Sequence, residues 1–352
     1  MPENKPQIFF FGNISSKHGL SNMVLTLAKR LSKESKIRIV CGNWSKDDFP
    51  SSDSTIRRVN IFLLKRMLNI TPLRWDLKVM MFLEYSIFDF LASRFVVNSS
   101  PVYALAGMAL HIFKKAEIMG LKKILFATTL EIGFVWRLHK EEEKVVGRDY
   151  EWLNVHLKNK ILKEYELADE IIVYSKLTYK TLLDSGIDES KLKYLMQKID
   201  DDYFKRRTEK KDNKFRVLYV GRLTPQKGIH YLIKAFKELK LPNAELLLFG
   251  ATPTSQLRKW VNGQIKNCDN IKIKCGDPRP AYEQASVLVH PSLNDNTGKT
   301  ISEALAYGLP IVLTENTGSK ELIEEGKNGY IIPIRSVEAI KEKIGYYHSI
   351  SN

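Results

Sequence analysis

Two carboxylates with seven residues between them, Asp295 and Glu303, lie in the run Pro291 to Thr314, PSLNDNTGKTISEALAYGLPIVLT. A loop of that length can turn both toward the hydroxyls of a bound sugar nucleotide. Backbone N–H groups near Gly298 and Lys299 fall where a helix begins, and the partial positive charge there suits a diphosphate. Thr300 and Glu303 also spell a capping box, a structural reading that needs no ligand, and the two readings are compatible. A second set of charges lies upstream. Arg222 and Lys227 occupy the turn Arg222-Leu-Thr-Pro-Gln-Lys227-Gly228, between the strand-like FRVLYVG ending at Gly221 and a helical pattern from Ile229 to Leu239. Either cation alone reads as a solvated loop charge. Together, ahead of a helix N-terminus and in company with the acidic loop, they make an anion site by charge as well as by dipole.

The elements that must position these residues are short and apolar. VLVH (Val287–His290) has the length of a buried parallel strand, and the helix after the acidic loop should stop at Gly308 and Pro310. Further strands are expected near 215–220, 244–249, 271–275 and 311–314, alternating with helical patterns, which favours a parallel sheet covered on both faces. The first half gives strands near 8–11, 37–41, 95–98, 123–127 and 170–173. A helix begins at Gly19, with Leu20, Met23, Val24, Leu27, Ala28 and Leu31 at helical spacing. Neither G-x-x-x-x-G-K-[ST] nor G-x-G-x-x-G is present, so nucleotide hydrolysis and dinucleotide redox chemistry lose support.

On these motifs the chain resembles the retaining nucleotide-sugar glycosyltransferases of family 4. GRLTPQKG is similar to that family's donor-diphosphate loop, Gly250 ends the strand ELLLFG, and DNTGKTISE is similar to its acidic signature. The resemblance implies a GT-B fold, two Rossmann-like α/β domains with parallel sheets facing each other across a cleft. It implies that Arg222 and Lys227 hold the diphosphate, Glu303 meets the ribose and Asp295 meets the transferred sugar. Gly221, Gly228, Gly250, Asn296, Thr297, Gly298, Lys299 and Thr300 would line the donor. The chain departs from the family at several places. Asp295 replaces the usual Glu, Asn296-Thr297 replaces Gly-Phe, and Thr128 in ILFATTLE stands where the family commonly carries a histidine. Gly12, Gly19, Thr128 and Glu131 are the acceptor-side candidates. A hexosyl group would pass from a nucleotide-sugar donor to a glycan, lipid-linked or small-molecule acceptor, with no cofactor and no metal. Asp200 and Asp202 imitate Asp-x-Asp but lie in a linker, away from any nucleotide-binding strand.

Length supports two α/β domains, since 352 residues with 44% hydrophobic content suit two ordinary cores. The expected division is 1–199 on the acceptor side, a polar linker at 200–213, a donor-binding domain at 214–335, and a terminal helix at 336–352 that could pack toward the first half. Cys41, Cys268 and Cys275 are too few and scattered for a disulfide framework or a Cys-rich metal site. From the polar opening MPENKPQ no signal peptide is expected, and Val79–Phe90 carries Glu84 and Asp89, which oppose a membrane span. A cytoplasmic protein is expected. The net charge of +15 calls for an anionic partner. Basic and apolar residues mix between Arg57 and Lys78, a pattern that suits an anionic membrane surface as well as a solvated helix face. Nucleic acid is disfavoured, because no zinc-finger, RNA-recognition or basic-zipper spacing appears. The competing functional readings are a GT-B-fold nucleotide-sugar epimerase, a phosphorylase, for whose pyridoxal lysine no context is visible, and a non-catalytic binding module for sugar nucleotides or nucleic acid.

Overall fold

The computed structural model describes residues 5–14, 19–44, 54–61, 66, 70, 76–148, 152–195 and 212–351. Two compact units emerge. The first takes Met1–Trp136, Trp152–Tyr174 and Thr178–Leu195, and the second takes Arg137–Glu151, Ser175–Leu177 and Met196–Asn352. The expected linker at 200–213 lies almost wholly outside the described residues.

In the first unit seven parallel strands run in the order β3-β2-β1-β4-β5-β6-β7. They are β1 (Gln7–Ile14), β2 (Ile37–Trp44), β3 (Ser54–Arg58), β4 (Val102–Leu105), β5 (Lys123–Phe126), β6 (Glu170–Val173) and β7 (Leu192–Tyr194). The apolar segment Val79–Phe90 falls in the helix Leu77–Ser93, whose Asp76 side chain caps the first turn by accepting from Lys78 and Val79 N–H. Among the described residues, no helix is long and apolar enough to cross a membrane.

The strand expected at 95–98 is not formed. The Gln7 side chain accepts from the Val97 N–H at 3.1 Å and donates to the Val97 carbonyl at 3.0 Å, which consumes the groups a ladder would need. Pro101 has no N–H to offer, so pairing with β1 begins at Val102 instead. The edge strands β3 and β7 were not legible in the sequence, since their residues are polar or half-exposed.

The second unit holds six parallel strands in the order β10-β9-β8-β11-β12-β13: β8 (Phe215–Val220), β9 (Ala244–Phe249), β10 (Ile271–Lys274), β11 (Val287–His290), β12 (Ile311–Thr314) and β13 (Gly329–Ile332). The first five match the expected strands, and β13 is an addition at the edge. Alternate residues feed two separate cores. Val217, Tyr219, Leu246 and Leu248 pack on one face with the helix Ile229–Leu239, while Leu218, Val220, Leu247 and Phe249 pack on the other with Ala304 and Tyr307. This is why the strands read as continuous apolar runs: both faces are covered. The terminal helix Val337–Ser349 inserts Ile340, Ile344 and Tyr347 into the first of these cores, so it packs within the second unit.

Candidate functional site

In the second sheet the chain moves outward from β8 through β9 to β10, then returns to the other side of β8 with β11. The crevice at the carboxyl ends of β8 and β11 is therefore a topological switch point, where open α/β sheets bind ligands. The turn bearing Arg222 and Lys227 follows β8, and the loop bearing Asp295 follows β11. Tertiary structure thus brings the two sequence constellations to one place.

Close backbone approach explains two of the glycines. Gly228 has φ +65°, and a Cβ there would run into the Pro291 carbonyl oxygen. At Gly250, φ +156°, a Cβ would run into the carbonyl oxygen of Gly221. The ends of β8 and β9 and the two functional loops can meet only because these side chains are missing.

The Lys227 ammonium lies 2.6 Å from Asp295 Oδ2, and His290 Nε2 lies 2.9 Å from the same oxygen. Burial would raise the Asp295 pKa, but the charge of Lys227 and the hydrogen bond from His290 outweigh it and hold the carboxyl far below the usual range. The expected sugar contact is thus ion-paired with an expected diphosphate ligand. Arg222 is exposed at the rim, and among the described residues its guanidinium has no ion-pair partner. Beneath the loops lies a polar layer. Gln226 Nε2 donates to Asn294 Oδ1 at 2.8 Å, Leu293 N–H to the Gln226 carbonyl at 2.9 Å, and Asp295 N–H to the Asn316 carbonyl at 3.0 Å. Asn296 accepts from the Ser175 hydroxyl at 3.2 Å, and its half-buried neighbour Thr297 leads to Gly298.

The capping-box reading is overturned. The helix runs Lys299–Ala306 with Gly298 at its N-cap and no side-chain cap, which places Thr300 one residue inside the helix. Its hydroxyl oxygen is buried without a hydrogen-bond partner. Glu303 is held from elsewhere: the Tyr282 hydroxyl donates to Glu303 Oε2 at 2.8 Å, and Lys299 lies 3.9 Å from Oε1. Burial raises the Glu303 pKa, against the opposing pull of Tyr282 and Lys299. The first turn of the helix consequently offers uncapped N–H groups beside a partly buried carboxylate.

In the first unit, Gly12 lies in β1, where pairing with β2 shifts register between Phe10 and Asn13, and Gly19 opens the helix Gly19–Ser32. The loop between them is outside the described residues. Thr128 is half-buried just beyond the end of β5. Glu131 takes a structural role, because its carboxylate accepts from Gly133 N–H at 2.7 Å and Phe134 N–H at 2.6 Å at the start of the helix Ile132–Val146. Among the described residues, no group of three or more His, Cys, Asp or Glu could hold a metal ion. Asp200 and Asp202 lie outside them.

Sequence reasoning missed His290, Tyr219 and Tyr282. The only signal was polar atoms at buried strand and helix positions, which spacing alone does not connect to the loops.

Residues 200–349 match the family described as Glycosyl transferases group 1. The chain is 30% identical over 217 residues to the capsular polysaccharide biosynthesis glycosyltransferase CapM of Staphylococcus aureus, covering 60% of this chain and 55% of CapM. It spans about half the length of the curated relatives it matches. Among solved structures it is similar to Anabaena HepE in complex with UDP and glucose, with a TM-score of 0.68 at 17% identity over 96% of this chain and 89% of that one. It is also similar to sucrose-phosphate synthase of Thermosynechococcus elongatus, with a TM-score of 0.71 at 17% identity over 99% of this chain and 90% of that one. The parallel sheets with their helices match the GT-B fold of these structures.

Proposed function

We propose that this chain transfers a hexosyl group from a nucleoside diphosphate sugar, with uridine as the base, to a glycan or lipid-linked acceptor with retention of configuration. The observation that carries the reading is the convergence of Arg222, Lys227 and the uncapped start of the helix Lys299–Ala306 on one switch point. Breaking the glycosidic bond adds negative charge to the departing diphosphate. Fixed cations and N–H dipoles therefore stabilise the transition state more than the ground state. This charge compensation comes from the chain itself, so the reading includes turnover that survives EDTA. Glu303, oriented by Tyr282, would accept from ribose hydroxyls. The uridine assignment is supported by HepE, whose structure holds UDP and glucose.

For the acceptor, the basic and apolar mixture at 57–78 supports docking on an anionic membrane at the cytoplasmic face, although most of that run lies outside the described residues. Sedimentation with anionic and neutral vesicles separates a docked enzyme from one with a soluble acceptor. The decisive experiment is thermal stabilisation by UDP, GDP and ADP, followed by transfer assays with the matching sugars and assignment of the product anomer. A ligand that binds the native state alone raises the melting temperature. Stabilisation by UDP together with retained configuration is expected. A chain that no nucleoside diphosphate stabilises, or a product of inverted configuration, refutes the reading.

A further inference from the structure

His290 closes β11 at 2% exposure, and nothing in the proposed chemistry uses it. Its Nε2 lies 2.9 Å from Asp295 Oδ2, the same oxygen that Lys227 Nζ approaches at 2.6 Å. An ionised carboxylate can only accept, so the imidazole proton sits on Nε2 and points at Asp295. The other ring nitrogen, Nδ1, is buried without a hydrogen-bond partner. The polar anchoring of this side chain therefore runs to Asp295 alone. The imidazole also stacks on the fully buried Tyr219 ring at 6.2 Å and 13°. Tyr219 Oη in turn donates to the Arg222 carbonyl at 2.8 Å.

We propose that His290 is a positioning residue for the donor diphosphate: through Nε2 it pins Asp295 as the fixed counter-ion of Lys227. This rests on the functional reading above. A lysine ammonium is a compact charge on a long flexible stem, and without a fixed partner it samples many rotamers. Asp295 takes one of its three N–H donors and leaves two for phosphate oxygens. An aspartate at this position is short enough to stay between His290 and Lys227. The role assigned to Asp295 is accordingly to orient the diphosphate ligand, in place of a direct grip on the transferred sugar. The stacked pair His290–Tyr219 links this carboxylate to the backbone that carries Arg222, so one buried unit references both cations to the sheet.

The test compares His290→Phe, which keeps a ring on Tyr219 but loses Nε2, with His290→Gln, whose amide nitrogen reaches about as far as Nε2. His290→Asn is a second loss variant, since its shorter amide cannot reach Asp295. Binding of UDP to each purified full-length variant is measured by calorimetry, alongside donor KM and kcat. Hydrogen bonds to charged groups are worth enough to predict UDP binding weakened by about tenfold or more in the Phe and Asn variants, with most of it regained in Gln. In an Asp295→Asn background, His290→Phe should add little, because the two residues act through one contact. Wild-type UDP affinity in both loss variants overturns the proposal. So does equal weakening in Phe, Asn and Gln, which would mark a packing role, or full additivity with Asp295→Asn. If His290→Phe fails to fold, Asn against Gln decides. A wild-type chain that binds no nucleoside diphosphate refutes the functional reading, and the proposal with it, and so differs from a failure of His290 alone.

Discussion

At the scale of single residues, the charges at the candidate site can be tested separately. Arg222 is exposed and Lys227 is pinned, yet in the proposed reaction both would address the same developing charge. Replacing either by Ala should lower turnover by about 100-fold or more while leaving the melting temperature nearly unchanged, as steady-state kinetics and calorimetry on the two variants will show. Glu303 differs, because it ends on the buried Tyr282 hydroxyl and plays no part in a cap. Glu303→Gln keeps an acceptor for Tyr282 but loses the charge that ribose hydroxyls would meet. Donor affinity should fall with little loss of stability; an early-melting variant with normal turnover would make Glu303 structural only. Asp295 sets an acid limit. Its native pKa is held far below the free aspartate value, so its contribution to stability is complete above about pH 4 and drains away as the pH drops toward the native value. Denaturant unfolding between pH 5 and pH 2, in the absence of ligand, should show a slope that Asp295→Asn reduces.

At the scale of elements, the proposed donor site depends on backbone proximity. The turn after β8 passes so close to Pro291 that the Pro291 carbonyl oxygen occupies the space a Gly228 side chain would need. Gly228→Ala should therefore separate the Lys227 turn from the Asp295 loop. It adds the strain of a side chain at φ +65°. The expected result is loss of UDP-induced stabilisation together with a melting temperature lowered by several degrees, a combined effect that distinguishes it from Lys227→Ala. Differential scanning calorimetry with and without UDP measures both. A Gly228→Ala chain that UDP stabilises normally would mean that the loops have room to spare.

At the scale of the whole molecule, the two units rely on different interior chemistry. The second is apolar on both faces of its sheet. The first has an ionic centre. Lys160 donates to Asp89 at 2.7 Å, to Glu164 at 2.9 Å and to the Gly107 carbonyl at 2.9 Å, all buried. The two carboxylates also accept from Gly107, Ala109, Leu110, His111 and Ile112 N–H, capping the helix Leu110–Ile118 that has no cap of its own. Their charge suits that helix end. The attraction of both carboxylates outweighs burial and raises the Lys160 pKa, which keeps the ammonium charged. Removing one member of such a cluster leaves the others unpaired, and Lys160→Met should cost about 3–5 kcal/mol in denaturant unfolding. Lys160→Met with Asp89→Asn should recover part of that loss.

Much of this protein was legible in its sequence because the signals are local. Continuous apolar runs of three or four residues marked β8, β9, β11 and β12, and the glycine and cation spacing in GRLTPQKG and DNTGKT marked the loops. A buried parallel strand needs apolar residues on both faces wherever it lies, so its pattern survives without knowledge of its neighbours. What tertiary structure alone decided was pairing between residues distant in the chain. The sequence offered Thr300 as a cap for Glu303, but the partner is Tyr282. It set Asp295 in an acidic loop, but its ion pair with Lys227 and its hydrogen bond with His290 come from the fold. The same holds for the strand expected at 95–98, displaced to Val102–Leu105 because Gln7, far upstream, occupies the backbone groups of Val97. Hydrogen bonds and ion pairs are short-ranged and directional, so their partners are fixed by which loops the strand order brings together.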